Sequence, residues 1–226
     1  MRAAKIIRVL ERRFFPERSR NRLQREWEKR WSREDSRLPW MGRSTSKQIL
    51  EAVETGWFPA GGLVLDIGCG LGEVTHWFAE RGFSALGVDF ASAAIERARA
   101  RYAEIPGRLE YRTLDIVRER PPDRPYSALL DRGCFHSIPR VDSDAYVRNV
   151  ASASARGTPL LLFIRAFRGR LDLGHREERE FHDRSISDSF SRDFEILRSD
   201  EAALSDPGDD GLDEGLPGLV YWMRRR

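Results

Sequence analysis

The chemistry available to this chain starts with one carboxylate and three glycines. Asp66 sits near the end of the apolar run Val64-Leu65-Asp66-Ile67, and glycines follow at 68, 70 and 72, with Cys69 and Leu71 between them and Glu73 after. A buried strand, a glycine turn and a helix in that order place a nucleotide-like ligand beyond the carboxyl end of the strand. A dinucleotide fingerprint requires a third glycine three residues after the second, and Glu73 occupies that position. An acid just before the turn disfavours a pyrophosphate. It suits a cationic ligand without phosphate.

Three further strand ends carry acids in the same order. Ser84-Ala85-Leu86-Gly87-Val88-Asp89 ends in a carboxylate roughly 20 residues past the first glycine, where a ribose-binding acid is expected. One carboxylate can accept both hydrogen bonds of a vicinal diol, and Phe90 follows at once, placed to cover a base. The run 109–113 leads into Leu114-Asp115-Ile116, and Tyr126-Ser127-Ala128-Leu129-Leu130-Asp131 closes on a fourth acid.

This pattern resembles motif I and the following strand ends of the Rossmann-like S-adenosylmethionine methyltransferases. The resemblance implies an α/β fold, a doubly wound and mostly parallel seven-stranded sheet with an N-terminal helical extension. It divides the chain into a helical arm and lid over 1–58 and a cofactor-binding domain over 59–226. It implies S-adenosylmethionine as cofactor, held by Asp66, Gly68, Cys69, Gly70, Asp89, Phe90, Asp115, Ile116, Asp131 and Arg132. In that family an acid at the place of Asp115 meets the adenine amino group, and the next backbone unit meets the ring.

Two local sequences refine the resemblance. Nucleobase amino-methyltransferases carry an Asn/Asp-Pro-Pro-aromatic motif after the fourth strand, whereas this chain has Asp131-Arg132-Gly133-Cys134-Phe135-His136. That opening is similar to the thiopurine, thiol, halide and tellurite methyltransferases, which also carry a Pro-Trp-x-x-Gly-type element resembling Pro39-Trp40-Met41-Gly42-Arg43. Met41 stands where an acid is common, and one spacer residue is missing. By the resemblance, Trp40 faces the sulfonium through its ring and Arg43 pairs with the cofactor's carboxylate. The alternative makes Trp40 a core anchor and Arg43 an exposed charge.

A hydroxyl or amine acceptor benefits from a general base, whereas a thiolate or halide needs none. His136, just past the fourth strand, is the candidate, with loop capping as its alternative role. His76 is expected on a helix surface or in packing, and His175 and His182 on an irregular, lid-like segment over 166–183. Their spacing with Asp183 matches no metal pattern, so no metal is expected. Arg165 and Arg168 are placed to meet an acidic substrate, or are ordinary exposed arginines. Cys69 and Cys134 are read as packing thiols.

The elements that must position these groups follow from periodicity. Strands are expected at 63–67, 84–88, 109–113, 126–131, 158–164 and 193–198, with a final edge strand over 219–223. Helices are expected over 44–56, 72–81, 91–103 and 142–155, with a short one near 185–191. Leu23, Trp27 and Trp31, four apart, mark a helix over 21–34 with a core-facing stripe. Ile6, Ile7, Leu10 and Phe14 mark a basic amphipathic helix that Pro16 ends, free to dock on its own domain, a second subunit or a partner. Residues 1–33 hold 12 basic and 4 acidic side chains against a net charge of +3 for the whole chain, so the remainder is acidic. Two cysteines and no long apolar run point to a reducing cytoplasm and no transmembrane segment. Lysine occurs only at 5, 29 and 47, an arginine bias suggestive of a bacterial source.

The expected function is therefore S-adenosylmethionine-dependent methylation of a small molecule, with no nucleic-acid partner. Two rivals stand beside it. One is a non-methylating cofactor-binding protein (regulatory, scaffold or cyclase). The other is an RNA methyltransferase using the basic arm.

Overall fold

The computed structural model describes residues 16–33, 46–103, 105–166, 174–204 and 216–226. Most of the expected basic helix, the Pro39–Arg43 element with Trp40 and Arg43, and Arg168 lie outside these residues. The elements are α1 (Pro16–Trp31), α2 (Lys47–Glu54), β1 (Leu63–Ile67), α3 (Glu73–Glu80), β2 (Ser84–Asp89), α4 (Ser92–Arg101) and β3 (Leu109–Thr113). They continue with β4 (Tyr126–Arg132), α5 (Ser143–Ser152), β5 (Pro159–Arg165), α6 (His175–Phe190), β6 (Phe194–Ala203) and β7 (Pro217–Arg225).

The seven strands form one sheet in the order β3-β2-β1-β4-β5-β7-β6, parallel from β3 through β5, with β7 antiparallel to both its neighbours. The central strands are apolar on both faces because helices cover both. Leu65, Ile67, Leu86, Val88, Leu129, Leu160 and Leu162 pack toward Tyr146, Val147 and Val150 of α5 and Ile186 and Phe190 of α6. Val64, Ala85, Ala128, Leu130, Leu161 and Phe163 pack on the other side with Ile49 and Ala52 of α2, Phe78 of α3, and Ile95 and Ala98 of α4. Strand periodicity of two thus divides one sequence run between two cores. The chain reverses its winding direction between β1 and β4. At such a switch point a crevice opens beyond the strand ends.

Pro16 opens α1, as the first helical position tolerates a residue without an N–H, and the helix expected before it lies outside the described residues. Three expectations need correction. Residues 175–183 are helical, not irregular: α6 runs for 16 residues, its weak apolar pattern reflecting only three buried side chains, Glu178, Ile186 and Phe190. His175 and His182 pair there with Glu201 and Glu178 and do not line the crevice. Finally, β7 is not an edge strand. It sits between β5 and β6, and Leu219 through Met223 are all buried.

Candidate active site at the switch point

A cavity of about 560 Å³ opens at the carboxyl ends of the parallel strands, within the size range of sites for small ligands. Its wall contains Asp66, Gly68, Cys69, Gly70, Asp89, Phe90, Asp115, Ile116, Arg132 and His136. Ten of the sequence-derived site residues are therefore brought to one place.

The glycine turn leaves β1 with positive φ at Gly68 (73°) and Gly70 (55°). A Cβ on Gly68 would lie 2.6 Å from the Cys134 Cβ, and one on Gly70 would lie 3.2 Å from the Trp31 ring. The alternation of glycines is thus set by close approach on two sides, to the loop after β4 and to α1. The turn's N–H groups are already engaged. Those of Gly68 and Cys69 donate to the Val88 carbonyl at 2.7 and 3.0 Å, and that of Gly70 donates to Asp89 Oδ2 at 3.1 Å. A phosphate-binding turn would present such donors to its ligand. This one presents carboxylates.

Asp66 and Asp89 are almost fully buried. Burial pushes each carboxyl up to about 6, against the opposing effect of the Thr75 hydroxyl on Asp66 and of the Ala91 and Gly70 N–H groups on Asp89. Thr75 Oγ1 donates to Asp66 Oδ2 at 2.6 Å, and the Ala91 N–H donates to Asp89 Oδ1 at 2.9 Å. Asp115 accepts from the Val117 N–H at 2.9 Å, which orients its carboxylate beside Ile116. A cation, a diol and a base amino group are the chemistry these three acids can receive.

Asp131 departs from the expected cofactor role. Its carboxylate points beneath the loop, accepting the N–H groups of Gly133, Cys134 and Phe135 at 2.8, 2.7 and 2.9 Å and the Tyr146 hydroxyl. It is fully buried and absent from the cavity wall. Burial raises it to about 7 despite these donors. Its work is to fold the segment that carries Cys134 and His136 to the cavity.

His136 lies on the cavity wall. Its Nδ1 accepts the N–H of Arg165 at 3.1 Å. A neutral ring that accepts at Nδ1 carries its hydrogen on Nε2. His76 stacks on Tyr102, 4.2 Å between centroids, away from the cavity.

Sequence reasoning read the Leu23, Trp27 and Trp31 stripe as core, which holds for Trp31, buried with Leu71, Ala91 and Ala94, and for Trp27 packed against them. All three also line the cavity. Helix α1 forms a roof, held by reciprocal capping with α4. Glu28 accepts the Ser92 and Ala93 N–H groups at 2.8 and 3.0 Å, supplying a carboxylate to a helix start that has no side-chain cap of its own. Arg97 donates to the carbonyls of Trp31 and Arg33 at 2.8 and 2.9 Å, closing the end of α1. At the other end Arg20 pairs with the buried Asp142, and Arg118 with Glu17 at 2.6 Å. The signal was the sign of the charges on α1 and α4. Their partnership needs the tertiary structure.

Residues 64–157 match the family model of a methyltransferase domain. A curated relative, 2-heptyl-1-hydroxyquinolin-4(1H)-one methyltransferase of Mycobacteroides abscessus, is 30% identical over 131 residues, which cover 57% of this chain and 56% of the relative. The chain thus spans a little over half the length of that relative. Among solved structures, a SAM-dependent methyltransferase from Anabaena variabilis superposes with a TM-score of 0.68 at 17% identity, over 90% of this chain and 95% of that one. A TehB-like SAM-dependent methyltransferase from Corynebacterium glutamicum gives 0.55 at 17% identity, over 93% and 100%. The fold is that of the Rossmann-like methyltransferases.

Proposed function

We propose that the chain is a methyltransferase that binds S-adenosylmethionine in the acidic part of the cavity and methylates a small molecule. The observation that carries this reading is the glycine turn itself. Its N–H groups are committed to Val88 and Asp89 while Asp66 and Asp89 flank it, an arrangement suited to a cationic nucleoside and unsuited to a phosphate. The methyltransferase-domain match over 64–157 and the fold support the same cofactor.

When bound, the cofactor supplies an electrophilic methyl group on a positively charged sulfur. Asp89 has acceptor capacity for the ribose diol beyond its two backbone donors, Asp115 is placed for an amino group, and Phe90 and Ile116 offer apolar faces to a base. Asp66, held by Thr75, contributes negative charge near the cation. Trp27, Trp31 and Leu23 exclude water from above, which aids alignment of the reacting groups. Residues 1–58 serve in this reading as arm and lid, and 59–226 as the cofactor domain. Helix α2 nevertheless packs into the sheet's core through Ile49 and Ala52.

A small acceptor suits a cavity of about 560 Å³, and the relative named for a hydroxyquinolone supports an aromatic one. The Asp131-Arg132-Gly133 sequence remains the link to the thiopurine and tellurite group. Two free thiols suit a reducing cytoplasm; no helix among the described residues is long and apolar enough to cross a membrane.

The test is S-adenosylhomocysteine formation with a panel of thiols, phenols, N-hydroxy heterocycles, amines and carboxylic acids. Turnover with one class is expected. Cofactor binding without turnover across the whole panel would favour the non-methylating rival.

A further inference from the structure

The cavity's charge is divided along the sheet. Asp66 lies in β1, Asp89 ends β2 and Asp115 follows β3, whereas Arg132 and Arg165 end β4 and β5 on the other side of the switch point. Arg165 is the more telling of the two. Its Nε is buried and has no hydrogen-bond acceptor among the described residues, although a guanidinium N–H in such a place ordinarily has one. The Arg132 Nε is buried in the same condition, while its Nη2 donates to the Leu204 carbonyl at 3.1 Å.

His136 Nδ1 accepts the Arg165 N–H, and burial pushes the Cys134 thiol up, away from a thiolate. Asp142 gives Oδ1 to Arg20, while its Oδ2 is buried without a donor among the described residues. A cationic wall with a buried, unfilled donor suits an anion.

We infer that the acceptor is an acidic small molecule, a phenolate-like or N-oxide-like oxyanion or a carboxylate, that enters already deprotonated and is held by Arg165 with Arg132 beside it. This rests on the methyltransferase reading above. The acceptor loses its proton to bulk water before it binds. Its oxygen lone pair then forms the new O–CH3 bond while the S–CH3 bond breaks. That bond's electron pair stays on sulfur, giving neutral S-adenosylhomocysteine and a neutral methyl ether or ester. No protein group takes a proton.

The experiment uses two matched probe pairs on protein saturated with S-adenosylhomocysteine at a pH where the acids are ionised. The pairs are 4-nitrophenolate with 4-nitroaniline, and benzoate with benzamide. Calorimetric titration is expected to show each anion binding at least tenfold more tightly than its neutral partner. Arg165→Gln is expected to remove that preference while changing the S-adenosylhomocysteine Kd by less than twofold. Equal binding within both pairs, or failure of both anions to bind, overturns the inference and leaves the cofactor reading standing. A parallel loss of S-adenosylhomocysteine affinity in Arg165→Gln also overturns it, by assigning the arginine to the cofactor's own carboxylate. The wild-type preference is informative even if the variant folds poorly. Failure of the wild type to bind S-adenosylhomocysteine would instead remove the methyltransferase reading.

Discussion

Over β1, β2 and β3 the cavity wall is acidic, and each carboxylate is fixed by a neighbouring donor: Thr75 for Asp66, Gly70 and Ala91 for Asp89, Val117 for Asp115. Over β4 and β5 the wall is basic, and Arg165 keeps a buried donor without an acceptor among the described residues. In the proposed reading the sheet offers two halves: an acidic cofactor half whose carboxylates are fixed before the ligand arrives, and a basic acceptor half that sets a charge preference.

The seam between the halves is the place to break this arrangement with the largest effect. Gly68 touches Cys134 across it, so Gly68→Ala adds a Cβ where there is no room and in a left-handed conformation. Together the crowding and the backbone penalty cost about 3 kcal/mol. Chemical denaturation should show that loss, with cofactor and acceptor binding weakened together. An unchanged midpoint would mean that the two halves do not meet there.

The roof allows the acidic half to be loosened alone. Glu28→Gln removes the carboxylate that caps α4 and ties α1 over the glycine turn. A loss of about 1 kcal/mol is expected, seen as roughly fivefold weaker S-adenosylhomocysteine binding and faster proteolysis within α1. The ratio of anion to neutral probe binding should not change.

Acidity separates the halves with the smallest effect. Asp66 and Asp89 titrate near 6 because of burial, and only their ionised forms attract a cation. Cofactor affinity should therefore fall as pH drops through about 6, by roughly fourfold per acid between about pH 7.5 and 5.5. Stability of the unliganded protein has the opposite sign. Both acids, with Asp131 near 7, hold protons more tightly when folded than at their ordinary value of 3.8. Their contribution favours the folded state at low pH and is lost as pH rises through about 6 to 7. Isothermal titration and thermal melting across this range check both signs.

How far the sequence could be read follows the same division. The acidic half was legible because each carboxylate closes a short apolar run at a fixed distance from the glycine turn. Asp131 shows where that logic stops. It stands at a strand end like the others, but its side chain turns under the loop toward Tyr146. Strand-end position does not specify orientation. The uninterrupted run Leu219–Met223 was the available signal that β7 lies inside the sheet, since an edge strand seldom buries both faces. Helix α6 was hard to see because its exposed faces are charged. The roof was missed because its contacts join residues 64 or more positions apart, among them Glu28 with Ser92 and Arg97 with Trp31. The tautomer of His136 depends on a backbone N–H from another strand, which no local pattern encodes.

The most direct test of the central claim is calorimetric titration of S-adenosylmethionine into the wild-type protein and into Asp89→Asn, with NAD+ as the phosphate-bearing control. Micromolar binding of S-adenosylmethionine that the variant weakens about a hundredfold, with no binding of NAD+, is the expected result, since hydrogen bonds to a charged group contribute about 1.5–3 kcal/mol each. Binding of NAD+ in preference, or S-adenosylmethionine affinity indifferent to Asp89, would contradict the assignment of the acidic half to a cationic nucleoside.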